Sequence, residues 1–462
     1  KPPKDTRPHI MGALVGAVIS LFLPRAREAE TLFSRIPIFP LVGPFGRREQ
    51  QRLDPSRFGS GLWNAIGGIR TILRDLGNPP SDADDLDSWI ESLPMKIDAT
   101  NEETALLSAV PLAIASVAWS DDVIRKMREH FLGEYRFFFG SQWVAASLWV
   151  YFIMLRSALL KNNPVQAGRA EIDVLPEEMQ DAFRVILSRG WSPSWDTEIE
   201  CLSMRCVAHA AWIIRTSDNP QLGLLLATDD SRLVQGSAPM IRILAGALVG
   251  GVHGIHRIPS ALSTYARVVM DDQDNYRFPD SNDPQQVGTS SLWDLQNIAL
   301  ELAGFPPVKE AAMEPAVGPA NVAEGLYAAN LMGALDTPTE WCVVSLCRTG
   351  DRFQFHAYRR QIYLIDQEGD ANPDLATVVQ DAVDAIDLFL AQGRPVVVHC
   401  HGGRSRTGLI LKAWKMRKDG VDEEAAHEWL KALWPPVNRS NQTFTDFLRN
   451  EWPTVMKDFE ND

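Results

Sequence analysis

The hydrophobic pattern of this chain changes period once, and that change constrains the fold more than any other feature. From Ile10 to about Ala266, apolar residues recur at intervals of three and four, as in Trp63, Ile66, Ile69, Ile72, Leu73 and Leu76. That spacing lines one face of an α-helix. Val207 to Ile214 and Ile241 to Ala245 read as buried helices, and alternating strand patterns are scarce, so this part is expected to be all-helical. From about Asp271 to Gln286, Asp, Asn, Gln, Ser and Pro take over, the composition of a connecting segment. A short helix over Ser291–Leu302 and a loose, proline-bearing stretch from Gly304 to Pro319 follow. From about Ala320 strands and helices alternate. Strands are expected over Glu340–Leu346, Gln361–Ile365 and Pro395–His399, and helices over Leu375–Leu390, Thr407–Arg417 and Glu423–Leu433. This order implies an α/β domain with a central, largely parallel sheet flanked by helices. Ligands then sit at the carboxyl ends of the strands. The expected division is a helical domain over 1–270, a connecting segment with a short helix over 271–316, and the α/β domain over 317–462.

A chain of 462 residues exceeds what one core usually supports, which agrees with two domains. The net charge of −14 repels nucleic acid and anionic membrane, so neither is expected as a general partner. Five cysteines (Cys201, Cys206, Cys342, Cys347 and Cys400) are an odd and sparse set. They fit a reducing, cytoplasmic setting better than a disulfide framework. Cys201 and Cys206 lack a second ligand pair for zinc. Cys342 and Cys347 are expected to pack in the core from opposite faces of a strand. Lys1, Lys4 and Arg7 before the apolar run Ile10–Leu23 mimic a signal peptide, but Pro24 and Arg25 replace a small-residue cleavage site. A buried helix is expected there. The run Trp143–Leu155 is too short to span a bilayer and also reads as core.

One segment carries chemistry: Val396-Val397-Val398-His399-Cys400-His401-Gly402-Gly403-Arg404-Ser405-Arg406-Thr407-Gly408. A strand runs into a tight loop and a helix leaves it. The backbone N–H groups from His401 through Arg406 can curl into a nest for phosphate oxygens. Gly402 and Gly403 permit the curl by tolerating positive φ and close approach. The helix start adds its positive end, and Arg406 offers a planar fork to two oxygens. The same donors stabilise the thiolate, the nucleophilic form of Cys400.

This segment resembles the signature loop of the dual-specificity branch of protein tyrosine phosphatases, and the resemblance extends over about Val317 to Phe447. It implies that Cys400 forms a phosphocysteine and that Arg406 binds the phosphoryl group. It implies that the Thr407 hydroxyl hydrogen-bonds the thiolate, that His401, Gly402, Gly403, Arg404 and Ser405 line the substrate site, and that no metal or cofactor is used. Asn441 resembles a late loop residue that supports the signature loop. The leaving oxygen needs a proton, and the family supplies it from an Asp on a loop about thirty residues before the Cys. Asp366, expected at a strand end, is taken as that donor, with Asp370, nearer the Asn-Pro turn, and Glu368 as the alternatives. Cations at His401 and Arg404 are similar to those in loops of phosphoinositide phosphatases and suit a substrate with several phosphates. Alternatively they tune the thiolate or contact neighbouring carboxylates.

The helical part resembles the ADP-ribosylglycohydrolase family, chiefly at Met11-Gly12-Ala13-Leu14-Val15-Gly16-Ala17 and over Ile241 to Pro259. The family holds two magnesium ions with carboxylates, but the late slot here reads Gly236-Ser237-Ala238-Pro239-Met240 and the early one Phe58-Gly59-Ser60-Gly61. Neither offers a carboxylate, which magnesium sites usually require. His253 and His256 read as packing at a helix end. The expectation is a metal-free, inactive helical domain, with an ADP-ribose-like ligand as its possible partner. The phosphatase domain is expected to hydrolyse a phosphorylated protein (phosphotyrosine, phosphoserine or phosphothreonine type) or a small phosphate ester. The alternatives are an active ADP-ribosyl hydrolase with unusual ligands, or a non-catalytic phosphate- or ADP-ribose-binding protein.

Overall fold

In a computed structural model of the chain, residues 3–23, 55–93, 102–133, 141–229, 238–264, 266, 292–308, 311–349, 352–353, 355–356 and 358–459 are described. Chain contacts divide them into two units. The first is helical. Its framework is α1 (Arg7–Phe22), α2 (Gln142–Leu159), α3 (Leu202–Thr216) and α4 (Ala238–His253). Every residue of α1 from Ile10 to Phe22 is buried, and a helix that is apolar all round belongs at the centre of a bundle.

Helices α1 and α4 touch backbone to backbone through reciprocal glycines. A Cβ on Gly12 would lie 2.2 Å from the Gly250 carbonyl oxygen, and one on Gly250 only 1.8 Å from that of Gly12. One turn on, Gly16 and Gly246 face each other in the same way. The buried Arg242 donates from Nη1 to the carbonyls of Ser20 (3.2 Å) and Leu23 (2.8 Å), placing a cation at the C-terminal end of α1. Ser141 caps α2, which extends to Leu159 and so outruns the Trp143–Leu155 run. It is long and apolar enough to cross a membrane by length and composition, yet it is packed inside the helical unit. Tyr151 on α2 donates its hydroxyl to the Leu244 carbonyl at 2.7 Å.

Phe58-Gly59-Ser60-Gly61 falls inside the helix Pro55–Asp75. Gly236 and Ser237 lie outside the described residues, and Ala238-Pro239-Met240 begin α4. His253 ends α4, and His256 is buried in the 3-10 turn Ile255–Arg257.

The second unit is built on β1 (Ala320–Ala323), β2 (Leu326–Asn330), β3 (Cys342–Ser345), β4 (Tyr358–Gln361) and β5 (Val396–Cys400). The order is β1-β2-β5-β3-β4, with β1 antiparallel to β2 and the rest parallel. The sheet is therefore mixed at one edge and parallel elsewhere. Helices α5 (Leu331–Leu335), α6 (Leu375–Ala391), α7 (Ser405–Asp419), α8 (Glu423–Leu433), α9 (Gln442–Asn450) and α10 (Trp452–Phe459) complete it. All of β5 is buried, as befits a central parallel strand. The register sets Asn330 beside Cys400 and Ser345 beside His399.

Two sequence expectations shift. The strand expected over Gln361–Ile365 is β4, three residues earlier at its start and ending at Gln361. Tyr-Arg-Arg-Gln forms it because Arg359 hydrogen-bonds the Phe353 carbonyl and Arg360 lies over the Phe389 ring. Within the segment expected to connect the domains, the helix Leu292–Leu302 packs against α1 and the residues from 311 onward join the second unit. Residues 259–264 also join the second unit, because Ser260 hydrogen-bonds Asp381 on α6 through both its N–H (2.8 Å) and its hydroxyl (2.6 Å). Thr264 then accepts from the Gln361 N–H at 3.1 Å, satisfying part of the exposed edge of β4.

Candidate active site

Cys400 is the last residue of the central strand, and the loop His401–Arg404 turns directly into α7. Among the two loop glycines only Gly403 has a positive φ, 71°. A Cβ there would lie 2.8 Å from the Trp434 ring and 3.0 Å from the Ala329 carbonyl oxygen. Gly402 serves differently. A Cβ on it would meet the Arg404 guanidinium at 2.9 Å, so its bare Cα lets that side chain fold back over the loop. The Trp434 indole N–H donates to the Gly403 carbonyl at 2.6 Å, and the Leu331 N–H donates to the His401 carbonyl at 3.2 Å. The loop is thus clamped from both sides by groups that sequence reasoning missed; an isolated tryptophan after a helix carries no local signal of this role.

The strand residue before the cysteine is also fixed. His399 is fully buried, with Nε2 2.7 Å from the Ser345 hydroxyl and Nδ1 3.2 Å from the Cys400 carbonyl oxygen. Burial disfavours its charged form and brings its pKa down to about 4. None of the five cysteines is in a disulfide. Cys342 is buried on β3, and Cys347 is buried just beyond that strand rather than on it.

Arg406 is half-buried at the start of α7. Its Nη1 donates to the carbonyls of Leu346 (3.1 Å) and Leu364 (3.3 Å), which anchors the guanidinium at the carboxyl ends of the strands. Its Nε is buried with no hydrogen-bond partner, and so is the Thr407 hydroxyl oxygen. Two unpaired buried polar groups, side by side in sequence after a cysteine, are costly unless a ligand engages them.

Asp366 lies five residues beyond the end of β4, so the expectation that it closes the strand does not hold. Its two oxygens accept from the Ser405 hydroxyl (2.6 Å) and the Asn441 side-chain amide (3.1 Å). Asn441 also caps α9 through Phe444 N–H. Its support of the loop therefore runs through Asp366 and Ser405. Glu368 accepts from the Gln442 N–H at 2.9 Å and serves as part of the same helix start. Asp370 is exposed at the tip of a loop whose base is closed by two hydrogen bonds between Asn372 and the Ile365 backbone.

His401 and Arg404 are both engaged by the segment before β1. His401 Nε2 is 2.8 Å from the Ala312 carbonyl oxygen. Arg404 makes a two-pronged ion pair with Glu314, Nη1 to Oε2 at 3.0 Å and Nη2 to Oε1. Among the described residues no cluster of three or more His, Cys, Asp or Glu could hold a metal ion.

Residues 344–451 match the family model described as dual specificity phosphatase, catalytic domain. A stretch of 71 residues is 38% identical to dual specificity protein phosphatase 12 of Homo sapiens, covering 15% of this chain and 21% of that protein. The chain thus spans about a fifth of the length of that curated relative. Among solved structures, human DUSP28 is similar at 19% identity and a TM-score of 0.25, covering 33% of this chain and 97% of its own. A structure titled ADP-ribosylglycohydrolase-related protein complex is similar at 17% identity and a TM-score of 0.35, covering 65% of this chain and 99% of its own.

Proposed function

We propose that the second unit hydrolyses phosphate monoesters through a phosphocysteine formed on Cys400. The observation that carries this reading is the pair of unpartnered buried groups, Arg406 Nε and Thr407 Oγ1, at the helix start that follows the cysteine. In the first step the Cys400 sulfur attacks phosphorus, the bond to the ester oxygen breaks, and that oxygen takes a proton. Arg406 and the loop N–H groups balance charge on the equatorial oxygens, and Thr407 donates to the sulfur as it becomes the leaving group. In the second step water attacks the phosphocysteine, releasing phosphate and thiolate.

The proton donor in this reading is Asp370 rather than Asp366. Both oxygens of Asp366 already accept hydrogen bonds from residues that frame the loop. Its carboxylate is thereby occupied in framing the loop. Asp370 has no such duty and sits on a loop fixed at its base.

The helical unit is proposed to be non-hydrolytic. A cavity of about 760 Å³ there is lined by Trp143, Trp191 and Trp195 together with Glu102, Glu198 and Glu200. Those carboxylates repel the diphosphate of an ADP-ribose-like ligand. The test of the main reading is hydrolysis of an aryl phosphate by the wild type and Cys400→Ser, with EDTA throughout. Activity in the wild type that is lost in the variant is expected; equal activity in both refutes a cysteine nucleophile. Release of ADP-ribose from modified protein in the presence of magnesium would overturn the reading of the helical unit.

A further inference from the structure

The segment Ala311–Val317 forms a strap beside the phosphate loop and is held there at several points. Asn330, fully buried at the end of β2, donates its side-chain amide to the Pro315 carbonyl (2.7 Å) and accepts from the Val317 N–H (2.9 Å). Its backbone N–H donates to the Val317 carbonyl at 3.1 Å. Gly333 completes the anchor, because a Cβ there would lie 2.1 Å from the Val317 carbonyl oxygen. The Ala312 carbonyl accepts from the His401 ring. Glu314 sits between these fixed points, and its carboxylate faces the Arg404 guanidinium with both oxygens.

The consequence is a matter of charge. Arg404 is the loop side chain best able to receive an anion beyond the reacting phosphate, and its fork is filled by a carboxylate of the same chain. A second phosphate or carboxylate on the substrate would have to displace Glu314, which its anchors keep at a high local concentration. The same anion would also be repelled by Glu314 at close range, which acts against such a partner as well as withholding an attraction.

We propose that Glu314 is a specificity-determining residue that occupies Arg404 and restricts the site to phosphomonoesters without a second anion beside the reacting phosphate. This rests on the phosphatase reading above and deepens it, and it opposes the inference from His401 and Arg404 alone that the loop suits polyphosphorylated substrates.

The test compares two phosphotyrosine peptides, one with neutral neighbours and one with a second phosphate on the adjacent residue. For the wild type we expect kcat/KM to favour the singly phosphorylated peptide. In Glu314→Gln the ratio should move toward the doubly phosphorylated peptide by about tenfold, the size expected for a charge-assisted hydrogen bond gained by the ligand. Activity on the singly phosphorylated peptide should stay within about twofold. In Glu314→Gln/Arg404→Met the gain should disappear. An unchanged ratio, or an equal rise for both peptides, overturns the proposal; the latter makes the strap a general obstruction. Calorimetric binding of inorganic phosphate and pyrophosphate in the Cys400→Ser background reads the same preference without turnover. A shift toward pyrophosphate on Glu314→Gln supports the proposal even if the peptides are not hydrolysed, which separates its failure from failure of the phosphatase reading.

Discussion

Replacing Glu423 by Gln tests how the helix that leaves the phosphate loop is held. Glu423 opens α8 with its side chain only 1% exposed. Oε1 accepts from Lys412 Nζ at 3.1 Å and Arg439 Nε at 2.8 Å, and Oε2 from Arg439 Nη2 at 2.9 Å and Arg449 Nε at 3.3 Å. Lys412 lies on α7 and is 3% exposed, so Glu423 is the anion that makes its burial tolerable. Arg439 and Arg449 are more exposed and keep Glu424 after the substitution. The loss therefore centres on Lys412, whose remaining neighbour is His427 at 3.4 Å. Removing one partner of a buried pair costs about 3–5 kcal/mol; the amide still accepts one hydrogen bond, which places the expected loss near 3 kcal/mol. Lys412→Met in the same chain removes the stranded cation and should restore about 2 kcal/mol. Because the chain has two units, the assay is hydrogen exchange of amides in α7 and α8, which reports local opening. A loss under about 1 kcal/mol, or single effects that simply add, would refute this reasoning. Acid gives an independent check. Burial opposes the charge of Glu423, but the Arg439 hydrogen bonds and the Lys412 charge prevail and bring its pKa to about 2. Its stabilisation is thus complete above the ordinary 4.5 and is lost as pH falls toward 2.

Three further outcomes are expected. His399 has its pKa at about 4 against an ordinary 6.5, so the neutral buried ring stabilises the fold above pH 6.5 and that contribution fades as pH falls toward 4. At about 1.4 kcal/mol per decade this is about 3 kcal/mol, and urea unfolding followed across that range should show it flattened in His399→Asn. Gly250→Ala should lower the thermal midpoint of the helical unit, since the new Cβ falls 1.8 Å from the Gly12 carbonyl oxygen. The overpacking cost of about 1–3 kcal/mol, larger where backbone must move, exceeds the helical gain of about 1 kcal/mol; an unchanged or raised midpoint in calorimetry contradicts it. Asp370→Asn should slow alkyl phosphates by about a hundredfold and nitrophenyl phosphate little, because only the poorer leaving group needs the proton. Asp366→Asn should slow both alike by loosening Ser405; the reverse pattern in leaving-group plots would make Asp366 the donor.

The phosphate loop was legible because its chemistry is local. Cys400 and Arg406 lie within one strand-loop-helix unit, and their spacing alone marks them as candidates. The helices α6 and α8 were legible because their apolar period is regular, and α8 occupies the expected Glu423–Leu433. The hairpin of β1 and β2 carries little strand signal, since Ala-rich segments have weak β-propensity; the Glu324-Gly325 turn, with Gly325 at φ 71°, is its available signal. β4 was misplaced because two buried arginines sit where a strand pattern calls for apolar residues. Asp366 finds its partners 39 and 75 residues away, and Arg404 finds its partner 90 residues away. No local pattern encodes contacts at that separation, which is why the sequence favours Asp366 over Asp370 on strand position alone.

Cys400 is proposed to carry the phosphoryl group between the two steps. Rapid acid quench of the wild type during turnover of an aryl phosphate, followed by mass spectrometry of its peptides, measures this directly. A phosphoryl group is expected on the peptide containing Cys400, at the sulfur, and is expected to be absent in Cys400→Ser. A phosphoryl group on His401 or another side chain, or steady turnover of the wild type with no modified peptide, would contradict it.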